Sequence, residues 1–232
     1  METILIKLSG EIFSKAPSEQ KEGAFAQKII SQIKELKKTF NIGIVVGAGN
    51  IFRGNQHGKQ FDIKETTAHT AGMVATIING LVLKDLLEKD GIETELFSAI
   101  NCPEVACVIK QNTINKMLKQ NKLLIFTGGT GNPFFTTDTN AVLRALQIGA
   151  KQVLKGTKVD GIYETDPLED KDSKLIKKLT YKEFIEKELK VMDLTAITLA
   201  QEHKLKIKVF NLFKKEALLK AIQEIDFGST IS

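Results

Sequence analysis

Four short glycine-bearing segments hold the residues whose types and spacing could do chemistry: Lys7-Leu8-Ser9-Gly10-Glu11, Gly47-Ala48-Gly49-Asn50, Gly128-Gly129-Thr130-Gly131 and Gly156-Thr157. Each lies at the end of a short apolar run. Glycine lets backbone approach a ligand closely, and amides at turns and helix starts cradle anions. One such turn serves any tight bend, but four at the same edge of a sheet point to phosphate. Lys7 follows a strand-like run and precedes Ser9-Gly10, so its ammonium would reach that edge; alone, it reads better as a solvent-facing strand end. Arg53, just past Gly49, offers a planar fork for a phosphate. Asp138, Asp166 and Asp193 each sit at a helix start or loop end, where a carboxylate is ordinarily a cap. As a set they could orient lysines and metal-bound waters. Phosphoryl transfer asks mainly for that neutralisation and alignment.

The elements that must position these residues follow from periodicity. Thr3–Leu8, Ile44–Val46, Glu93–Ser98, Leu123–Thr127, Gln152–Lys155 and Ile207–Asn211 read as strands. Ala24–Phe40, Glu65–Lys89, Thr113–Leu118, Asp138–Ile148, Tyr181–Glu188, Asp193–His203 and Lys215–Glu224 read as helices, with Asn112 a possible N-cap. Lys158–Asp166 holds an Asp-Gly turn and resembles a hairpin. Strands and helices alternate, which predicts a three-layer α/β/α sandwich with a mainly parallel sheet, in one domain over residues 1–232. In such a sheet ligands sit outside the carboxyl ends of the strands. The loop Thr130–Asp138, TGNPFFTTD, spends two adjacent aromatics on an otherwise polar connection. Pro133 limits its freedom. Phe134 and Phe135 either wall a site or anchor the loop in the core, and anchoring is expected for at least one ring.

Other chemistries are excluded or unsupported. G-x-x-x-x-G-K-[ST] is absent, and Phe52 stands where a dinucleotide fingerprint after Gly47-x-Gly49 needs glycine. Cys102 and Cys107 have no zinc spacing and imply no disulfide framework. His57, His69 and His203 pair with no nucleophile. The chain has 232 residues, 42% hydrophobic and 26% charged, with net charge +5. The positive excess suits small anions, and 6% aromatics with no Trp give no base-stacking platform for nucleic acid. No signal-peptide pattern or apolar run of about 20 residues is evident, so a cytoplasmic protein without a membrane segment is expected.

Six motifs then coincide in order: KLSGE from Lys7, VVGAGNIFRG from Val45, GMVATIINGL from Gly72, TGNPFFTTD from Thr130, KVDGIYETDP from Lys158 and ELKVMD from Glu188. Together they resemble the bacterial uridylate kinase (UMP kinase) family, of the amino-acid-kinase fold, over almost the whole chain. The resemblance implies transfer of the γ-phosphoryl group of ATP to UMP, giving ADP and UDP in pyrimidine nucleotide biosynthesis, with Mg²⁺ carried by ATP and no protein metal ligand. It also implies a homohexamer. By carry-over, Lys7, Ser9, Gly10, Gly49, Arg53, Thr157, Tyr163 and Asp166 meet ATP. Ala48, His69, Thr130, Gly131, Asn132, Pro133, Phe134, Phe135, Thr136 and Thr137 meet UMP. Lys7 acts in the transfer, with Asp138 and Asp193 as organisers of Lys7 and the metal. Asp138 is also expected to cap the helix beginning there. Two departures stand out. Ala48 replaces a glycine of the family and requires negative φ. His69 replaces an acidic residue at the ribose, where a neutral imidazole nitrogen can still accept a hydrogen bond.

Overall fold

The computed structural model of the protein describes residues 1–14, 23–165, 167, 170 and 172–232. The chain begins with β1 (Glu2–Leu8), a single 3₁₀ turn (Gly10–Phe13), α1 (Ala24–Lys37), β2 (Phe40–Val46), α2 (Gly54–Gln60), α3 (Glu65–Lys89) and β3 (Thr94–Ser98). Then come β4 (Cys107–Val108), α4 (Gln111–Lys119), β5 (Leu123–Thr127), α5 (Thr137–Gln147) and β6 (Gln152–Thr157). The remainder is β7 (Ile162–Tyr163), β8 (Leu175–Ile176), β9 (Lys178–Leu179), α6 (Tyr181–Glu186), α7 (Leu194–Glu202), β10 (Lys206–Asn211), α8 (Ala217–Gln223) and β11 (Ser229–Ile231).

The main sheet has nine strands in the order β4-β3-β5-β2-β1-β6-β10-β11-β9. Neighbours pair parallel except β10 with β11. The chain leaves β1 for β2 on one side and later returns to β6 on its other side. That reversal opens a crevice at the carboxyl end of β1, where ligands of such sheets bind. Because β1, β2, β5 and β6 run the same way, all four glycine-bearing segments emerge at one edge, as the sequence predicts.

Strand periodicity divides the core into two layers. Ile4, Ile6 and Leu8 of β1 pack with α1, α3 and α8, whereas Leu5 packs with α5, α6 and α7. Leu154 of β6 joins the first layer and Val153 the second. Two steps along each strand from Leu5 and Val153 lie Lys7 and Lys155, on the α5 side.

Several local expectations are corrected. Phe40 belongs to β2, where it is the register partner of Glu2, and α1 ends at Lys37. Asn112 lies inside α4, whose N-cap is Lys110 without a side-chain cap bond. Asp160-Gly161 does not close the hairpin. Residues Ile162–Tyr163 pair instead with Leu175–Ile176, antiparallel, after a longer excursion. The short helix α2, the edge strands β4 and β9, and the strand β11 between β10 and β9 were not expected, being too brief or too polar to show a period. By length and composition α3 is also apolar enough to cross a membrane, which the sequence reading did not anticipate. Its apolar residues are shared between a face on β3 and β5 and an outer stripe of Val74, Ile78, Leu81 and Val82.

Gly80 lets α3 lie close to the sheet. A Cβ there would fall 2.4 Å from Thr127 Cγ2 and 2.9 Å from Leu96 Cδ1. Alanine gains up to about 1 kcal/mol of helix propensity over glycine, while overpacking a core costs about 1–3 kcal/mol. Urea denaturation of Gly80→Ala should therefore show a net loss. Stability at or above that of the parent chain would mean that α3 has room against β5.

Candidate active site

Lys7 and Lys155 are register partners on the adjacent parallel strands β1 and β6. Their side chains leave the same face at the carboxyl edge, and both are largely buried. Asp138, in the first turn of α5, answers both. Lys7 Nζ lies 3.2 Å from Asp138 Oδ1. Lys155 Nζ donates to Asp138 Oδ2 and to the carbonyl of Val191. The contact to Lys7 is charge pairing rather than an aligned hydrogen bond, since Oδ1 accepts none. Burial pushes the Asp138 carboxyl up, but the two ammonium groups outweigh it and hold its pKa at about 2. Burial lowers the Lys155 pKa, and Asp138 only partly offsets it. The sequence reading missed Lys155. Its signal was available: a lysine at an apolar strand end before Gly156-Thr157, the same arrangement that singled out Lys7.

Asp138 does not cap its helix. Thr136 is the N-cap of α5, and its hydroxyl accepts from the amides of Asp138 at 3.0 Å and Thr139 at 3.4 Å. That frees the Asp138 carboxylate for the lysines. Asp193 is the N-cap of α7 and accepts from Ala196 N at 2.8 Å. It also accepts from Thr139 Oγ1 at 2.7 Å and from the hydroxyl of Thr136. Asp193 therefore makes no ion pair with Lys7. It ties the start of α5 to the start of α7, so the cap role competes with the expected catalytic one, and its charge reaches Lys155 only at longer range.

Lys7, Ser9, Glu11, Lys155, Thr157 and Lys158 line a cavity of about 250 Å³. At its rim Glu11 Oε1 meets Arg53 Nη2 at 2.6 Å and Lys158 Nζ at 2.9 Å. Arg53 also donates from Nε to the Gly49 carbonyl at 2.9 Å. Gly10 admits no side chain, because a Cβ would lie 2.1 Å from Asn50 Oδ1 and 2.6 Å from both Asn79 Nδ2 and the Gly47 carbonyl. Buried Asn79 of α3 donates to Gly47 O at 2.7 Å and to Asn50 Oδ1 at 2.8 Å, so it ties together the two ends of the second glycine turn. Ala48 is buried and is not among the residues at positive φ, as its methyl requires. Tyr163 lies in a second cavity of about 560 Å³, with Val159, Glu164 and Leu189, and Val191 borders both. Asp166 lies outside the described residues.

The loop after β5 turns on Gly128, Gly129 and Gly131, all at positive φ, and Phe134 is also left-handed at φ 70°. Thr76 of α3 accepts from Gly128 N at 2.8 Å and holds the loop's root. Thr130 Oγ1 and the backbone of Asn132 bond each other at 3.2 Å. Anchoring of an aromatic ring in the core is not found. Phe134 is 62% exposed and Phe135 45%. Phe134 packs on the imidazole of His69, ring centres 5.1 Å apart. A glycine-rich root and a strained Phe134 hold the rings outward. Pro133, Thr136 and Thr137 complete this loop, and Thr137 opens α5 beside Gly47. Among the described residues no group of three or more His, Cys, Asp or Glu could hold a metal ion.

A parallel sheet with phosphate-sized space at its carboxyl edge, flanked by buried lysines, defines a phosphotransferase of the α/β class. The chain matches the model of the Amino acid kinase family over residues 2–211 and belongs to that family. Within it, similar proteins include uridylate kinases. That of Mycoplasma genitalium is 43% identical over 223 residues, covering 95% of this chain and 91% of the relative. That of Thermotoga maritima is 43% identical over 230 residues, 98% of each. The crystal structure of UMP kinase from Ureaplasma parvum matches with a TM-score of 0.93 at 33% identity, over 100% of this chain and 98% of that one. UMP kinase from Bacillus anthracis gives 0.92 at 29%, over 100% and 96%. The family and fold expected from the motifs are borne out.

The Asp138 cluster sets a pH dependence. A carboxyl whose folded pKa of about 2 lies below its ordinary 3.8 stabilises the fold above the ordinary value. That contribution, about 2 kcal/mol by linkage, is lost as pH falls from about 4 to about 2. Asp138→Asn leaves two buried ammonium groups facing each other. It should melt lower at neutral pH and lose part of the acid sensitivity between pH 4 and pH 2, followed by circular dichroism. An unchanged acid profile would remove Asp138 as the titrating group.

Proposed function

We propose that the chain transfers the γ-phosphoryl group of ATP to UMP, giving ADP and UDP. The observation that carries this reading is the register pairing of Lys7 with Lys155 around a single carboxylate, which leaves a net positive charge at the inner end of the phosphate-sized cavity. The triphosphate lies along the Ser9-Gly10 turn, with Gly49 and Arg53 at its flank. The ribose and base extend from beside Thr157 into the second cavity, at Tyr163. UMP sits under the loop Thr130–Thr137, with its phosphate towards Gly47-Ala48-Gly49. Asn132 and the threonine hydroxyls meet the pyrimidine, and the exposed rings of Phe134 and Phe135 shield it. His69 stands at the ribose.

An oxygen of the UMP phosphate attacks the γ-phosphorus in line. The bond to the β–γ bridging oxygen breaks, and its electrons leave with ADP. The attacking oxygen is already anionic, so no general base is needed. Lys7 and Lys155 bear on the equatorial oxygens, where charge is spread in the transition state. Asp138 holds both ammonium groups in place, and Asp193 holds the start of α5 that carries Asp138. Asp138 and Glu11 are each taken up by two cations, a donor set unsuited to a protein-held metal. Mg²⁺ supplies charge neutralisation as a companion of the ATP phosphates.

We further propose a homo-oligomer, the hexamer that the family resemblance implies, with the outer stripe of α3 between subunits. Val74, Ile78, Leu81 and Val82 are each at least 37% exposed on one helix, and a contiguous apolar stripe of this kind suits a second copy of the chain. Ile78→Asp should shift the sedimentation profile to a smaller species, and an unchanged profile would remove this face from the interface.

The activity is tested by ADP release from ATP and Mg²⁺ with UMP, CMP, acetylglutamate or carbamate as acceptor. Turnover is expected with UMP. It should be lost in Lys7→Ala, and Lys155→Met should lower kcat about 100- to 1,000-fold, as for loss of one preorganised charge donor. Asn132→Ala should raise the KM for UMP with little change for ATP. No turnover on UMP, or full activity in Lys7→Ala, would overturn the reading.

A further inference from the structure

The cavity has a second carboxylate bridging two cations, and the mechanism above leaves it unused. Asp138 joins Lys7 and Lys155 at the buried end. At the open end Glu11 Oε1 alone receives both Arg53 Nη2, at 2.6 Å, and Lys158 Nζ, at 2.9 Å. The three residues come from unlike places. Glu11 lies in the 3₁₀ turn after β1, Arg53 at the N-cap of α2, and Lys158 just after β6. Glu11 is fixed by its turn, which Ser9 caps through an accepted bond from Glu11 N at 3.4 Å, and its side chain is only 16% exposed. Arg53 and Lys158 are far more open, at 52% and 64%. Arg53 keeps one further tether, to Gly49 O. For Lys158 the bond to Glu11 is the contact that turns its long, freely rotating side chain towards the cavity.

We propose that Glu11 is a positioning residue for ATP: it draws Arg53 and Lys158 from two separate loops to the cavity mouth, where their remaining donors meet the outer phosphates of the nucleotide. Two cations and one carboxylate leave a net positive charge at this end, matching that at the inner end. A bound triphosphate is thereby gripped at both ends. Without Glu11 the two exposed side chains must be ordered on binding, at the cost of their rotamer freedom. Glu11 works on affinity at the mouth, and the inner lysines work on transfer. The inference rests on the proposed kinase reaction.

The experiment measures UDP formation by the parent chain, Glu11→Gln, Lys158→Met and the double variant, with KM for ATP, KM for UMP and kcat determined separately. Parent activity on UMP comes first, since its absence fails the kinase reading and leaves nothing for Glu11 to position. With that activity present, Glu11→Gln should raise the KM for ATP about tenfold, the scale of two part-exposed ion pairs. The KM for UMP should hold and kcat should move less. Lys158→Met should act in the same direction. The double variant should fall short of the product of the two single effects, because Glu11 acts in part through Lys158. Lys158→Met, at an exposed position, carries the test should Glu11→Gln fold poorly. An unchanged KM for ATP in both single variants would overturn the proposal. So would a lowered one in Glu11→Gln, which would make the carboxylate a competitor of phosphate, or fully multiplicative effects.

Discussion

The fold places two lysines side by side. Lys7 and Lys155 are register partners on neighbouring parallel strands, and their side chains share a face. Two ammonium groups so close, and largely shielded from water, repel one another unless a negative charge stands between them. Asp138 supplies it. One carboxylate for two cations is incomplete neutralisation, and the remainder is what an anionic ligand completes. The arrangement requires β1 and β6 to be adjacent and parallel, α5 to begin over them, and Thr136 to take over the capping that Asp138 would otherwise perform. Asp193 then fastens Thr136 and Thr139 to the start of α7.

Around this centre the glycine turns are held from behind by α3. Asn79 ties Gly47 to Asn50, and Thr76 holds Gly128. These buried polar side chains spend their hydrogen bonds on loop backbone, which keeps the turns in place before any ligand arrives and lowers the ordering entropy of binding. The long helix thus serves as a splint for two loops that lie far apart in sequence. The loop after β5 differs in kind, since its aromatic rings face outward and Phe134 rests on His69. A ring held in solvent by a left-handed backbone is costly unless something covers it.

Much of the architecture was legible because the long strands and helices here are marked by apolar runs that end at glycine or polar turns. The continuous apolar run of β1 and the 25-residue apolar stretch of α3 announce themselves. The short elements did not, because β4, β7, β8 and β9 span two residues each and exist only through their partners. The hairpin read at Asp160-Gly161 failed for the same reason: a turn signal says where the chain bends, and the partner strand lies beyond the bend, at Leu175–Ile176.

For the site, the sequence alone determined the chemical inventory: glycine at the strand ends, Lys7, Arg53, Asp138 and a loop rich in hydrogen-bonding groups. These are local choices, dictated by backbone geometry and side-chain chemistry within a few residues. Only the tertiary structure decided which charges meet. Lys155 pairs with Asp138, Glu11 gathers Arg53 and Lys158, and Asp193 turns to threonines rather than to Lys7. The reason is physical. Coulomb and hydrogen-bond energies fall away over a few ångströms, and strand register and helix placement bring residues more than a hundred positions apart within that range.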